Sequence, residues 1–113
     1  MKANPHFANI DRPAYELGRL LEKMPAEYSR SHPLTPDDRL IAEAARDHAV
    51  NANGTLLRGL AALGHVMSVA CANEHGAVDA DQLEKLGDLI NHLAVESQFL
   101  QETEWHIREM LES

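Results

Sequence analysis

Apolar residues recur every three or four positions through the C-terminal third of the chain. Alternating steps of three and four over four heptads are typical of a helix with a coiled-coil-like seam. Seven of the nine seam positions are apolar; the nine are Leu83, Leu86, Ile90, Leu93, Ser97, Leu100, Glu104, Ile107 and Leu111. Asp79 precedes the pattern as a capping residue, with Gln82 three positions later. The pattern predicts a helix over residues 80–112.

A second pattern predicts a longer helix over roughly residues 36–75. Thr35 is a suitable N-cap, and Pro36 suits the first helical position. Two aspartates then favour the positive end of the helix dipole. The positions that would face the C-terminal seam are Ala49, Asn53, Leu56, Leu60, Leu63, Met67 and Ala70. A break near residues 51–54 is the main alternative to one continuous helix.

A third, short helix is predicted near the N-terminus. Apolar residues recur at helical spacing at Tyr15, Leu17, Leu20, Leu21 and Met24. Asp11 is the expected cap, Pro13 lies in the first turn, and Pro25 ends the helix. We expect residues 1–10 to be flexible and residues 25–34 to form a linker. The chain is then a single helical domain, residues 1–113.

These elements predict an all-α fold with one long antiparallel helical hairpin, helices roughly 36–75 and 80–112, plus the short N-terminal helix. A short connection between long helices places them side by side in opposite directions. Val95, Phe99 and Met110 point away from the predicted seam, with Trp105 at its edge. Since a hairpin alone would leave them in water, we expect a homodimer that forms a four-helix bundle.

The apolar stretch from Leu56 to Ala72 raises the question of a membrane. It spans 17 residues, includes Arg58 and His65, and is shorter than the roughly 20 residues that a transmembrane helix needs. We therefore expect a buried helix in a cytoplasmic protein without a membrane contact. Cys71 is the only cysteine, so no intramolecular disulfide can form, and its apolar neighbours predict that it is buried. Three internal glycines, at 54, 59 and 64, predict the close approach of another backbone.

The net charge of −8 is concentrated at one end of the chain. Residues 79–113 contain nine acidic and two basic residues and thus account for −7 of it. A protein that follows a nucleic-acid backbone needs a basic face. The charge pattern therefore argues against direct binding of DNA or RNA.

Seven histidines in 113 residues make a metal site worth considering. If the hairpin folds about residue 77, His48 faces His106, with Asp47 and Glu102 close by. Two histidines with one or two carboxylates could hold zinc or another divalent ion. However, the chain has no HExxH motif and no repeated ExxH pair of the di-iron type. We expect no metal and no cofactor. If the protein does bind a metal ion, these four residues are the candidate ligands.

Catalytic motifs are also missing from the sequence. It has no G-x-S-x-G element, no Cys/His pair of the nucleophilic type and no glycine-rich phosphate loop. Asn53, Ser97 and Glu104 are polar residues at seam positions, where a buried polar layer commonly determines helix register. The sequence therefore favours a non-enzymatic protein.

The function predicted from these patterns is a small helical protein-interaction or regulatory module that acts as a homodimer. A protein partner would bind the third helix at an exposed stripe. The residues expected there are His92, Val95, Phe99, Trp105, His106 and Met110. One alternative is an acidic inhibitor, of the phage or mobile-element type, that occupies the basic groove of a nucleic-acid-binding protein. Another is a metal-binding helical bundle.

Overall fold

A computed structural model describes residues 3–25, 33–72 and 79–112. Within these ranges the chain consists of three helices, α1 (Pro13–Lys23), α2 (Pro36–Ala72) and α3 (Ala80–Glu112), and contains no strand. The predicted all-α class is confirmed, and the long α2 contacts the C-terminal α3. The expected end of the second helix beyond residue 72 and most of the 25–34 linker lie outside the described residues.

The starts of α2 and α3 follow from their capping residues. The Asp38 amide donates a 3.0 Å hydrogen bond to Thr35 Oγ1, and the Gln82 amide donates a 2.8 Å bond to Asp79 Oδ1. Both predicted caps are confirmed. The cap predicted for α1 is wrong, because Arg12 occupies the N-cap position and no side chain caps this helix. There the fixed φ of the proline that follows sets the start of the helix.

Two cross-helix hydrogen bonds define how α2 and α3 pair. The Arg39 guanidinium donates to the Leu111 carbonyl oxygen at 3.1 Å, and the Ser97 hydroxyl donates to Asn53 Oδ1 at 2.7 Å. Residues early in α2 thus lie beside residues late in α3, so the two helices are antiparallel. Partners have numbers that add up to 150, which is four less than the expected 154 and corresponds to about one helical turn. α2 is continuous through Asn53 and Gly54.

The core lies at one end of the α2–α3 pair, where α1 packs on α2. The buried residues of α2 all lie between Ile41 and Ala52, and those of α3 between Ser97 and Met110. The core cluster consists of Leu17, Leu20, Ile41, Ala42, Ala44, Ala45, Ala49, Ala52, Leu100 and Ile107. We call α1 with residues 36–53 and 97–112 the proximal half. Residues 54–72 and 80–96 form the distal half.

The distal half has two helices and no fully buried side chain among its described residues. Most seam residues are half-buried there, but the seam residue Leu83 and five large apolar side chains beside the seam are 42–61% exposed. They are Leu57, Val66, Val69, Leu83, Leu89 and Val95. Within the single chain, the prediction of a buried helix over residues 56–72 is therefore wrong, because no third element of the described ranges covers this end. Cys71 is exposed as well, contrary to expectation.

By length and composition alone, α2 is apolar enough to cross a membrane. Core helices of soluble proteins meet the same criterion.

The internal glycines do not meet another backbone within the described chain. A Cβ atom built at Gly59 or Gly64 would have no heavy atom within 4 Å, and one built at Gly54 would meet only the Arg58 side chain. The close approach predicted from these glycines is therefore wrong within the single chain.

The molecule is long and thin as a result. Its extents are 64 × 28 × 20 Å and its radius of gyration is 18.7 Å, whereas a compact chain of this length has about 13 Å. Its accessible surface is 8132 Å², compared with about 6,200 Å² for a compact monomer of this mass.

Candidate functional surfaces

Residues 4–9 of the N-terminal segment make polar contacts with α1 and α2. The Asn4 amide donates a 2.7 Å hydrogen bond to the Leu40 carbonyl oxygen, and His6 Nε2 lies 2.8 Å from Asp37 Oδ1. These contacts occur within residues 1–10, for which flexibility was expected. They place the segment across the α1 side of α2.

His48 lies beneath this segment. Its side chain is completely buried, and its ring centroid is 4.6 Å from that of Phe7. Neither ring nitrogen makes a hydrogen bond within the described chain; the Ala8 backbone nearby favours the protonated ring but falls short of hydrogen-bond geometry. Burial lowers the pKa of His48, and the carboxylates of Glu16 and Asp47 oppose this in part. His48 is therefore a neutral core residue near pH 7.

Glu16 is the acidic residue beside this buried histidine. It is 6% exposed and accepts a 2.9 Å hydrogen bond from the Asn9 amide. Arg12 Nε and Arg19 Nη1 lie 3.3 and 3.9 Å from its carboxylate oxygens. The Asn9 hydrogen bond, followed by the two arginines, lowers the pKa of Glu16 although burial acts against it. Glu16 was not among the site residues expected from the sequence, although the i, i+4 and i, i+3 spacing of the arginines could have indicated it.

The four metal candidates do not form one site. His48 is in the core, and Asp47 Oδ1 pairs with Arg46 Nε at 3.0 Å. His106 and Glu102 instead line a groove on α3. In the described ranges, no three His, Cys, Asp or Glu side chains come close enough to hold a metal ion. The expected pairing of His48 with His106 is wrong because the register differs by one turn.

The groove that contains His106 lies between the end of α1 and the middle of α3. It has a volume of about 370 Å³, and its lining residues are Leu21, Met24, Phe99, Glu102, Thr103, His106 and Ile107. Phe99 is 53% exposed at its edge. The groove can accept an apolar side chain beside an imidazole and a carboxylate.

The other residues of the predicted α3 stripe differ in exposure. Val95 and Trp105 are 57% and 63% exposed, and His92 is exposed with its Nε2 atom 3.7 Å from Glu96. Met110 is only 9% exposed. The expectation that Met110 lies on an uncovered face is therefore wrong, since it belongs to the buried residues at the proximal end of α3.

A second groove, of about 400 Å³, lies in the distal half between α2 and α3. Apart from Gln82 its lining residues are apolar or sulfur-containing, namely Leu63, Val66, Met67, Ala70, Cys71, Leu83 and Leu86. The sequence pattern predicted the two helices and also indicated apolar surface that a hairpin alone would leave uncovered.

The geometry of these surfaces is the basis on which a function can be assigned. No protein-family model, no curated protein and no solved structure matches this chain.

Proposed function

We propose that this protein is a non-enzymatic helical interaction module that acts as a homodimer, in which two α2–α3 pairs form a four-helix bundle. The observation that carries the proposal is the uncovered distal half. Its exposed apolar side chains, Val66, Val69 and Leu89 among them, lie on two adjacent helices. Contiguous apolar surface of this kind marks interaction sites in soluble proteins.

The accessible area supports self-association. The chain exposes 8132 Å², about 2,000 Å² more than a compact monomer of 12.5 kDa. A stable interface buries about 800 Å² on each partner. The surplus is therefore large enough for a dimer contact and leaves further surface for another protein.

The two residues with shifted pKa values in the described part of the chain also favour a binding role. Catalytic acids and bases need access to a substrate as well as a suitable pKa. His48 is buried below the N-terminal segment, and the Glu16 carboxylate is held by Arg12 and Arg19 at a small polar pocket of about 140 Å³. The two larger grooves are mainly apolar. The accessible surface is therefore better suited to binding another protein than to acid–base catalysis.

The α3 groove is the proposed site for a different protein partner. Phe99 is half exposed at its edge, His106 lines it, and Trp105 is exposed one position before His106. Aromatic side chains that enter a partner's pocket commonly dominate interface energetics.

An acidic inhibitor is the second candidate function. The acidic residues of distal α3, Asp81, Glu84, Asp88 and Glu96, are all exposed. Lys85 is the only basic residue among them, and it pairs with Asp81 at 3.0 Å. Such a row of carboxylates can enter an electropositive groove, with an association rate that falls as salt rises. Affinity capture at low and high salt tests this candidate, and a set of captured proteins that does not change with salt contradicts it.

Light scattering on the purified full chain tests the homodimer. The expected mass is twice 12.5 kDa at micromolar concentration, with a melting temperature that rises with protein concentration. A mass of 12.5 kDa at every concentration would contradict the proposal.

A further inference from the structure

The face of α2 that α1 covers in the proximal half continues uncovered into the distal half. Eighteen residues make five turns of an α-helix, so residues 18 apart share a face. Ile41, Ala44 and His48 are at most 5% exposed. Their counterparts on the same face are Gly59, Ala62 and Val66, all of which are exposed.

The same relation holds on α3. Ile107 is 1% exposed and lines the groove next to Leu21 and Met24 of α1. Leu89, which is 18 residues earlier and therefore on the same face, is 46% exposed. We call Gly59, Ala62, Val66 and Leu89 the open face. α1 has 11 residues and α2 has 37, so α1 is too short to reach the open face.

We infer that the open face of one chain packs against the open face of a second copy, with the two α2–α3 pairs running in opposite directions. This inference rests on the proposed homodimer and adds the identity and geometry of its contact. A two-fold contact places the same residues on both sides, so a self-complementary apolar face is sufficient. The distal half of each copy then covers the open face of the other copy, as α1 covers the same face in the proximal half.

The antiparallel arrangement follows from the position of α1. If the two pairs ran in the same direction, both α1 helices would lie between them at one end and would hold the pairs apart. In the opposite direction only the distal halves overlap, and each α1 lies beyond the partner's distal end. The open face can then close without moving α1.

The distribution of charged residues indicates that α2, and not α3, lies at the centre of the contact between the two copies. Residues 54–72 contain one formally charged residue, Arg58, whereas residues 80–96 contain four acidic residues and Lys85. Like charges brought together in an interface are destabilising. The nearly uncharged α2 helices can meet, and Gly59 and Ala62 allow their backbones to approach closely. The acidic residues of α3 also disfavour the anionic surface of a membrane as the alternative occupant.

Two aspartate variants on α2 test the choice of face. Val66→Asp introduces two carboxylates at the proposed two-fold contact, whereas Leu57→Asp places them on the opposite face, because nine residues make two and a half turns. Val66 and Leu57 are 61% and 46% exposed, so neither substitution disturbs the core. We expect Val66→Asp to raise the dimer dissociation constant by about tenfold or more and Leu57→Asp to change it by less than about threefold.

A glycine pair gives a second, independent test. Gly59→Leu puts a bulky side chain on the open face, and Gly64→Leu puts the same side chain about 140° around the helix. Both substitutions favour the helix, so a loss of dimer cannot be due to a weaker helix. Dimer loss in Gly59→Leu alone is the expected result, while equal effects of the two variants would contradict the inference.

Small-angle scattering tests the direction of the two copies. An antiparallel overlap of about 19 residues lengthens the particle from 64 Å to about 100 Å, since a helix rises 1.5 Å per residue. A dimer with the monomer's maximum dimension would contradict the antiparallel arrangement.

The outcomes separate this inference from the proposed function. A wild-type monomer overturns both. A wild-type dimer that Val66→Asp leaves intact overturns the choice of face but not the homodimer. If the wild-type chain floats with vesicles of anionic phospholipid and Val66→Asp does not, the open face binds lipid and the inference is wrong.

Discussion

The Ser97 hydroxyl donates a 2.7 Å hydrogen bond to the Asn53 side-chain oxygen across the α2–α3 seam. Ser97 is 6% exposed and also accepts a 3.2 Å bond from the Gln101 amide. This pair lies where the proximal half meets the distal half. The pair joins two of the three polar seam positions expected from the sequence and holds α2 and α3 in one register. The third, Glu104, instead pairs with Arg108 of its own helix at 3.0 Å.

Ser97→Ala should lower the free energy of unfolding by about 1–2 kcal/mol, because the Asn53 oxygen loses its donor in a mostly buried position. The double variant Asn53→Leu/Ser97→Ala should regain part of this loss, since both polar partners are then replaced by apolar groups. Urea denaturation of the single and double variants measures the coupling. Additive effects would contradict a direct interaction of the two residues.

Replacing the buried histidine should stabilise the protein. His48→Leu removes two ring nitrogens that lack hydrogen bonds in the core, and we expect the free energy of unfolding at pH 7 to rise by about 1 kcal/mol. His65→Leu, at an exposed position, should change it by no more than about 0.5 kcal/mol. Thermal and urea denaturation of both variants check this. A fall in stability for His48→Leu would show that the imidazole makes a favourable interaction.

Stability should decrease as the pH falls from 8 to 5. The folded-state pKa of His48 lies below its ordinary value of 6.5, so the unfolded chain takes up a proton first as the pH falls through 6.5. The folded-state pKa of Glu16 is lowered from 4.5, so its contribution is present above pH 4.5 and is lost at lower pH.

Both groups therefore act in the same direction, in two successive pH ranges. Denaturation at a series of pH values measures the two steps. His48→Leu should make the free energy of unfolding nearly independent of pH between pH 7 and 5 and should leave the step at lower pH unchanged. Glu16→Gln should reduce that lower step. An unchanged slope between pH 7 and 5 in His48→Leu would contradict the assignment of the upper step.

Gly87→Ala should raise the free energy of unfolding by about 0.5–1 kcal/mol, because alanine favours a helix and a Cβ atom at this position meets nothing within 4 Å. Gly54→Ala is the matched comparison. Its Cβ atom would lie 3.1 Å from Arg58 Nη1, so the arginine side chain must move and the gain should be smaller. Equal gains in the two variants would show that the Arg58 side chain moves without cost.

The sequence pattern predicted the three helices, the caps at Thr35 and Asp79, and the Asn53 and Ser97 seam positions. These features depend on local propensity and on a period of three to four residues, which the sequence displays directly. The register was wrong by one turn because it was inferred from the connection between α2 and α3. That error misplaced His48 relative to His106.

The site beneath the N-terminal segment could not be predicted in the same way. The contact between Phe7 and His48 joins residues 41 positions apart, and no periodic signal connects them. The open face is a different case. The sequence indicated surplus apolar surface beside the seam, including Ala62 and Val66, which the short first helix would cover only in part. It did not indicate which of these positions α1 reaches.

The short reach of α1 also has a consequence for how the molecule opens. Backbone amides in the distal half are protected only by two helices without a buried layer, so local opening there should need less free energy than in the proximal half. In the proposed dimer, hydrogen–deuterium exchange at residues 54–72 should slow as protein concentration rises, while exchange at residues 41–52 should not respond. Protein concentration would then set the free energy of local opening in the distal half and leave that of the proximal half unchanged.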